Sequence, residues 1–300
     1  MTRLQDCIDK IIKALEEAKT ILAEENPVLT AQKTPTESPQ EEFAKLKELL
    51  MSPKWPEAVN LHLVANPDNE NEKMERGLGI VDLMIGGSHL KGLKFLDYGC
   101  GDGYCVKAAL DLGANAVGYD IKKYDSWWTE ACTQDWEKVK QQGPFDVILC
   151  YDVLDHVVGE RPVAVLQKLN ELLSPEGKIY LRMHPICSRH GAHHWFNINK
   201  AYAHIVFTPE ELKEIDPKWA TSPHIEPTLP HVFPVRMYQA MIEAAGLHIE
   251  DKRESLEAVE MIFKTPLFAK RIMQNLKINE FPDFPLSVQF IDYVLTRKPQ

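Results

Sequence analysis

The sequence predicts an α/β protein built around a mostly parallel sheet, and two observations carry that prediction. From Leu93 onward, short apolar runs alternate with helical patterns: LKFLDY precedes YCVKAALDLG, and FDVILCYD precedes RPVAVLQKLNELL. This alternation is typical of strand–helix–strand units, whose strands lie parallel. The first of these strands also runs directly into a glycine-rich loop, GCGDG, before its helix begins.

Composition excludes several classes of protein. The 300 residues carry a formal charge of −10, from 34 basic and 44 acidic side chains. This balance does not favour tight non-specific binding to nucleic acid, which depends on clustered Lys and Arg. We expect neither a membrane span nor a secretory signal, since no apolar run is long enough and the N-terminus is charged throughout. The six cysteines form no CxxC pair, so we expect a cytoplasmic protein without a zinc ribbon or disulfide framework.

Two helical patterns precede the sheet. Apolar residues at helical spacing predict an amphipathic helix over about residues 3–25. This helix either packs back on the main domain or binds a protein partner or a second copy. A linker rich in Pro, Thr, Ser and Gln follows, and SPQE at Ser38 opens a second helix. The predicted division is an appendage over residues 1–40, a helical lead-in or lid over residues 41–92 and the main domain over residues 93–300.

The last third of the chain predicts one helix and two further strands. VRMYQAMIEAAG is a helical pattern that Gly246 closes at its C-terminal cap. LHIEDKRE and SVQFIDYVLTRK then predict the late strands. Residues 184–233 and 256–280 are interpreted as insertions in the main domain, and the second of them is helical in pattern.

The glycine loop is suited to binding a small molecule. Gly99, Gly101 and Gly103 allow a tight turn and a close approach of ligand to backbone, and the following helix begins with unpaired N–H groups. The spacing G-x-G-x-G matches neither a dinucleotide fold nor a P-loop. Asp120 ends the next apolar run, where a carboxylate can accept both hydroxyls of a ribose. Asp135-Trp136 then offers an acid for an amine proton and an aromatic ring to cover a flat one.

Five segments in register carry a family resemblance: LDYGCGDG, GYD, QDW, FDVILCYDVLDHV and LLSPEGKIYL. In this order they resemble the class I S-adenosylmethionine (SAM)-dependent methyltransferases, closely from Leu93 to Met183 and loosely to Lys298. The resemblance implies a Rossmann-like sheet of seven mostly parallel strands with helices on both faces and the last strand reversed. It also implies SAM as cofactor and methyltransferase activity.

The same resemblance implies roles for individual residues. The methionine part of the cofactor would be surrounded by Asp97, Gly99, Gly101 and Gly103. Asp120 resembles the ribose ligand, and Asp135 and Trp136 resemble the adenine contacts. Cys150 and Tyr151 would lie where the fourth strand ends against the cofactor.

The chain departs from the family between Asp120 and Asp135. These residues are so close in sequence that we expect the helix between strands two and three to be short or absent. The adenine side of the cofactor would then be more open, with Trp127 or Trp128 partly covering it.

The acceptor site is predicted after the fifth strand. Methyl transfer is an in-line displacement from a sulfonium, so the nucleophile must be held close and aligned, and a base often removes its proton. Five histidines fall between His184 and His204, at the sheet edge where open α/β sheets bind ligands. We predict methylation of an oxygen or nitrogen of a small molecule, and the catalytic candidates are His184, His190, Asp155 and His156.

Two alternatives stay open. Asp152-x-x-Asp155-His156 with the later His204 is similar to the ExxEH…H arrangement of metal-dependent RNA 2′-O-methyltransferases. However, LDHV also resembles the LEHV of many members that use no metal, and we assign no metal ligands. The other alternative is a non-catalytic module with the SAM fold, attached to partners through residues 3–25. DNA base methylation is disfavoured, because neither its Pro-Pro tetrapeptide nor a Pro-Cys nucleophile follows the fourth strand.

Overall fold

The computed structural model describes residues 38–60, 69–86, 89–125, 127–157, 161–191, 198–217, 235–277 and 286–298. By its internal contacts the chain divides into two compact units, Met1–Glu48 and Leu49–Gln300. The helix predicted over residues 3–25 lies outside the described residues, as does most of the linker. The domain boundaries drawn from the sequence stay a prediction.

Helices α1 (Pro39–Leu50) and α2 (Glu70–Ile85) precede the sheet, and both have capped N-termini. In α1, Ser38 N donates to Glu41 Oε2 at 2.8 Å and Glu41 N donates to Ser38 Oγ at 3.3 Å. This reciprocal capping satisfies donors of the first turn and explains why the helix begins where SPQE occurs. In α2, the side chain of Asn69 accepts a hydrogen bond from Glu72 N at 2.8 Å.

A seven-stranded sheet forms the centre of the second unit. Its strands are β1 (Lys94–Tyr98), β2 (Asn115–Tyr119), β3 (Cys132–Thr133), β4 (Phe145–Tyr151), β5 (Leu173–Met183), β6 (Leu247–Leu256) and β7 (Val288–Arg297). Their order is β3-β2-β1-β4-β5-β7-β6. Neighbouring strands are parallel except at β7, which runs antiparallel to both β5 and β6. The predicted fold class, with its reversed last strand, is confirmed.

The remaining helices of the described chain lie between strands, singly except for three that follow β5. They are α3 (Tyr104–Asp111), α4 (Trp136–Gln142), α5 (Pro162–Leu172), α6 (Ala203–Val206), α7 (Pro209–Ile215), α8 (Val235–Ala244) and α9 (Pro266–Leu276), with a 3₁₀ turn at Met261–Lys264. Gly246 follows α8 with φ of 75°, the left-handed conformation expected of a C-terminal cap. Among the described residues, no helix is both long and apolar enough to cross a membrane.

The central strands are buried on both faces, which explains their nearly continuous apolar sequences. Leu96 and Ile148 belong to a cluster that includes residues of α5 and α8. Phe95 and Leu149, one position away on the same strands, belong to a second cluster with residues of α2 and α3. Because side chains alternate along a strand, Asp97 shares the α2–α3 face with Phe95.

The connection between β2 and β3 is short, as predicted. Residues 120–125 and 127–131 contain turns and bends but no helix. They are followed by the two-residue strand β3, which pairs with the end of β2 through Gly118 and Tyr119. One edge of the sheet therefore consists of a very short strand close to the glycine loop.

The opposite edge is the ten-residue strand β6. Its register against β7 shifts between Ile249 and Asp251 and again between Ser255 and Leu256. Four consecutive exposed residues, Glu250 to Arg253, are all charged. This edge strand is therefore long, but its pairing with β7 is irregular and it carries a run of charged side chains.

Segments from distant parts of the chain share an aromatic core beside the sheet. Trp55 is fully buried, and its ring centre lies 5.7 Å from that of Phe207, 5.8 Å from Phe263 and 4.9 Å from Phe268. Its indole Nε1 donates to the carbonyl of Ala201 at 2.8 Å. These contacts join residues from before β1, after β5 and after β6 into one packed layer.

Helix α2 approaches α3 so closely that only glycine fits at the contact. A Cβ on Gly77 would lie 2.8 Å from the backbone C and O of Tyr104. We expect Gly77→Ala to lower the free energy of unfolding by about 1–3 kcal/mol, because backbone atoms must shift to relieve this overlap. Urea unfolding followed by circular dichroism measures the change.

Gly79→Ala is the matched control in the same helix. A Cβ at Gly79 would meet nothing within 4 Å, so the alanine should stabilise the protein by up to about 1 kcal/mol through its higher helix propensity. Equal effects of the two substitutions would contradict the close approach of α2 and α3.

Candidate active site

The glycine loop leaves β1 at the carboxyl edge of the sheet. Gly99, Gly101 and Gly103 have φ of 79°, 52° and 89°, a region that residues with a Cβ rarely adopt. A Cβ on Gly99 would lie 2.5 Å from Val153 Cγ2, and one on Gly103 would lie 2.6 Å from Cys132 Sγ. A Cβ on Gly101 would meet nothing within 4 Å. The loop is therefore packed at both ends and open in its middle, where a ligand can approach the backbone.

Asp120 joins the end of β2 to this loop. Its Oδ2 accepts a hydrogen bond from Gly101 N at 2.9 Å, and its Oδ1 accepts one from Lys122 N at 2.8 Å. Each carboxylate oxygen has two lone pairs, so both retain capacity for a further donor. The buried carboxylate is thus fixed in direction and still able to accept hydrogen bonds.

Asp97 is a buried carboxyl group at the end of β1. Within the described residues, no group donates a hydrogen bond to its side chain. Burial, and secondly the negative charge of Asp120, raise the pKa of Asp97 to about 7. A cation bound here would favour the ionised carboxylate and offset both effects.

Asp152 and His184 form an ion pair where β4 and β5 end. Asp152 has a left-handed backbone with φ of 55°, which Asp tolerates better than most residues, and its N–H donates to Arg182 O at 3.2 Å. This turn places Asp152 Oδ1 3.2 Å from His184 Nε2. On the other side of the ring, His184 Nδ1 donates to the backbone carbonyl of Gln289 at 3.2 Å. Both ring nitrogens face acceptors, the arrangement that suits an imidazolium.

The environment of His184 favours its charged form. Burial lowers the pKa of His184, but the carboxylates of Asp152 and Asp155 and the Gln289 carbonyl raise it by more, to about 9. The residue is therefore a cation at neutral pH. Asp152, with 27% of its side chain exposed against 10% for His184, is the more accessible member of the pair.

A second buried ion pair supports this edge of the sheet. Arg182 on β5 donates to both carboxylate oxygens of Asp292 on β7, at 2.6 and 2.7 Å. Its Nη1 donates to the hydroxyl of Tyr151 at 2.7 Å, and its guanidinium stacks over the ring of Phe290 at 4.1 Å. Tyr151 is thus held at the end of β4 by a neighbouring strand.

The other predicted catalytic residues lie around the Asp152–His184 pair. The ring centres of His190 and His184 are 5.0 Å apart in an edge-to-face arrangement. Asp155 is fully buried, and its Oδ2 lies 3.8 Å from Nε2 of the partly exposed His156. The catalytic roles assigned to His190, Asp155 and His156 stay predictions. Two further histidines of the predicted group, 193 and 194, lie outside the described residues.

The residues of the metal alternative do not converge. His204 Nε2 lies 2.7 Å from the carbonyl oxygen of Ile186. This contact occupies a nitrogen of the imidazole that the metal alternative requires as a ligand. Over the part of the chain that the structure describes, no three His, Cys, Asp or Glu side chains are grouped to hold a metal ion.

Three residues predicted to contact the cofactor have structural partners. Asp135 Oδ1 accepts hydrogen bonds from Glu137 N and Lys138 N at 3.0 and 3.3 Å and so caps α4. The ring of Trp136 meets that of Tyr119 edge-on, with centres 4.9 Å apart. Cys150 is fully buried in the cluster that faces α5. The cofactor contacts assigned to these residues stay predictions.

Sequence reasoning missed the pairing of Asp152 with His184. A polar residue such as Asp152, directly after a buried strand, is itself a signal of the ligand-binding edge. Sequence reasoning also missed the bond from Arg182 to Asp292, which depends on the register between β5 and β7. The sequence shows charged residues in each of these strands, but it does not show which residues lie opposite each other.

The profile of the methyltransferase domain family matches residues 78–252, which is more than half of the chain. The chain therefore belongs to this family of SAM-dependent methyltransferases.

Similar proteins were found among curated sequences and solved structures. The ubiquinone biosynthesis O-methyltransferase of Pseudomonas aeruginosa (strain UCBPP-PA14) is 29% identical over 105 residues, covering 31% of this chain and 44% of that enzyme. The enzyme of the same name from Methylococcus capsulatus is 31% identical over 104 residues, covering 30% and 43%. The chain thus spans less than half the length of these relatives. A SAM-dependent methyltransferase structure from Archaeoglobus fulgidus has a TM-score of 0.44 and 16% identity, covering 75% of this chain and 94% of that one.

The charge of His184 should make stability depend on pH. Its folded pKa of about 9 lies above the ordinary value near 6.5 of an unfolded histidine. The contribution is therefore complete below about pH 6.5 and is lost as pH rises through about 9, with an upper limit of about 3 kcal/mol. Wild type should lose stability relative to His184→Gln between pH 7 and 9.5 in urea unfolding.

The exposed residue His248 provides the control for this measurement. His248→Gln makes the same exchange of histidine for glutamine at the protein surface. Parallel stability curves for wild type and His184→Gln would contradict a protonated His184 in the folded protein.

Proposed function

We propose that this chain is a cytoplasmic SAM-dependent methyltransferase that methylates an oxygen or nitrogen atom of a small molecule. The observation that carries the proposal is the Asp152–His184 ion pair at the ends of β4 and β5. It is adjacent to the glycine loop, because Val153 would touch a Cβ on Gly99. The names of the curated relatives, O-methyltransferases of ubiquinone biosynthesis, support an acceptor of this kind.

The glycine loop and its two carboxylates fit SAM. The buried Asp97 carboxylate would hold the cofactor's ammonium group, since it has no donor among the described residues. Asp120 would accept the ribose hydroxyls with its remaining lone pairs. The open space at Gly101 would admit the ligand between them. When bound, SAM supplies an electrophilic methyl group on a sulfonium.

Asp152 is the group best placed to hold the acceptor. Its carboxylate is partly exposed, whereas His184 is buried behind it between Asp152 and the Gln289 carbonyl. Asp152 would accept a hydrogen bond from the acceptor's O–H or N–H, align that atom for in-line attack and take its proton as the new bond forms. His184 acts as a positioning residue, because its positive charge fixes the carboxylate.

SAM-site binding should strengthen with pH between 6 and 8. Asp97, with a pKa of about 7, must be ionised to pair with an ammonium group. Affinity for the product S-adenosylhomocysteine, measured by calorimetry, should therefore rise by roughly tenfold over this range. Asp97→Asn should bind more weakly and show no such rise.

Asp120→Asn serves as the control for the titrating group. Removing the charge of Asp120 lowers the pKa of Asp97. The increase in affinity with pH should therefore remain but occur at lower pH. A rise that persists in Asp97→Asn would show that another group titrates.

Asp152→Asn tests the chemical step. Asn has the same shape and also tolerates the left-handed backbone, so the substitution removes the charge and one acceptor oxygen without changing the backbone. We expect affinity for S-adenosylhomocysteine within about twofold of wild type and methyl transfer slower by about 100-fold or more. Transfer is measured with tritiated SAM and a panel of phenols, carboxylic acids and amines, and Asp251→Asn on β6 should behave as wild type.

Full activity of Asp152→Asn would remove the Asp152–His184 pair from the chemistry. Wild-type protein that binds S-adenosylhomocysteine yet methylates no member of a broad panel would favour the non-catalytic module.

A further inference from the structure

The connection between β2 and β3 lies against the glycine loop. The indole Nε1 of Trp127 donates to the carbonyl of Gly101 at 2.9 Å. The backbone N–H of Trp128 donates to the carbonyl of Asp102 at 3.3 Å. The short connection thus contacts two successive carbonyls of the loop.

The peptide groups around Gly101 are oriented by hydrogen bonds. A Cβ on Gly101 would meet nothing within 4 Å, so no side chain presses on this residue from that direction. Its N–H is held by Asp120 at 2.9 Å and its carbonyl by Trp127 at 2.9 Å. Trp127 and Asp120 therefore fix the open part of the loop from opposite ends of one residue.

Trp127 is itself held by the connection. Its backbone N–H donates to the carbonyl of Tyr124 at 3.3 Å, and its side chain packs against the apolar cluster on the α2–α3 face. Tyr124 lies close to the carboxylates: burial, and then the charges of Asp120 and Asp102, raise the pKa of its phenol. The indole is thus anchored in the core while its N–H reaches the loop.

We propose that Trp127 is a positioning residue for cofactor binding, which holds the Gly101 carbonyl so that the loop and Asp120 keep the arrangement that receives SAM. The inference rests on the proposed function of the glycine loop as the SAM site. The short connection thus contributes the indole N–H that holds this carbonyl.

The test compares S-adenosylhomocysteine binding by wild type, Trp127→Phe and Asp251→Asn in calorimetry. Phenylalanine at 127 keeps an aromatic ring and removes the N–H donor. We expect affinity to fall by about fivefold, the effect of one net hydrogen bond. The control is Asp251→Asn, an exposed residue of the edge strand β6, and its affinity should equal that of wild type.

Melting temperatures with and without ligand separate positioning from stability. Addition of S-adenosylhomocysteine should raise the melting temperature of Trp127→Phe by less than that of wild type, because stabilisation by a ligand depends on its affinity. The KM of Trp127→Phe for SAM should rise with little change in kcat. Hydrogen exchange on wild type adds a measurement that needs no variant, and peptides covering residues 121–131 should be protected by the ligand.

Each outcome distinguishes the positioning role from the cofactor site itself. Wild-type affinity in Trp127→Phe, an equal loss in Asp251→Asn or unprotected peptides over residues 121–131 would overturn the role of Trp127 while the cofactor site stands. Failure of wild type to bind S-adenosylhomocysteine would overturn both.

Discussion

The buried ion pair between Arg182 and Asp292 holds the reversed strand in the position on which the proposed acceptor site depends. Because β7 runs antiparallel to β5, its first residues lie at the edge where the parallel strands end. Every parallel strand contributes only its last residues to that edge, whereas β7 contributes its first ones. Gln289 and Phe290 are brought there by the same reversal, and both contact His184. A charged pair fixed by two short hydrogen bonds determines this register more specifically than apolar contacts do.

The glycine loop depends on a different constraint, the hydrogen bonds that orient individual peptide groups. At Gly101 the loop is open, so its geometry depends on the carboxylate of Asp120 and the indole of Trp127. One of these groups ends β2 and the other lies in the connection that follows it. A single short segment, residues 120–131, therefore provides both the predicted ribose ligand and the bond that orients the backbone opposite it.

Much of this architecture could be predicted from the sequence. The parallel strands are apolar over nearly their whole length because both faces are buried, and the glycines at 99, 101 and 103 occur where the backbone adopts positive φ. The missing helix after β2 followed from the distance along the chain between Asp120 and Asp135. These features are local, and local sequence is enough to identify them.

The polar pairings were less accessible to prediction, for physical reasons. His184 and Asp152 belong to different strand ends, and their contact depends on a left-handed turn at Asp152 that no glycine marks. Arg182 and Asp292 are separated by 110 residues, and their contact depends on a strand order that places β7 between β5 and β6. Trp127 could be expected near the cofactor, but the direction of its N–H depends on the packing of its ring.

The two edges of the sheet have a consequence for the behaviour of the protein at high concentration. A free edge strand offers unpaired backbone groups with which a second molecule can continue the sheet. Here β3 is only two residues long, too short to template a neighbour. The long strand β6 has two register shifts and a run of four charged residues, so an incoming strand would meet broken spacing and side chains that are costly to remove from water. Both edges resist intermolecular strand pairing, one through its length and the other through its irregularity, and assemblies that grow by adding strands are disfavoured.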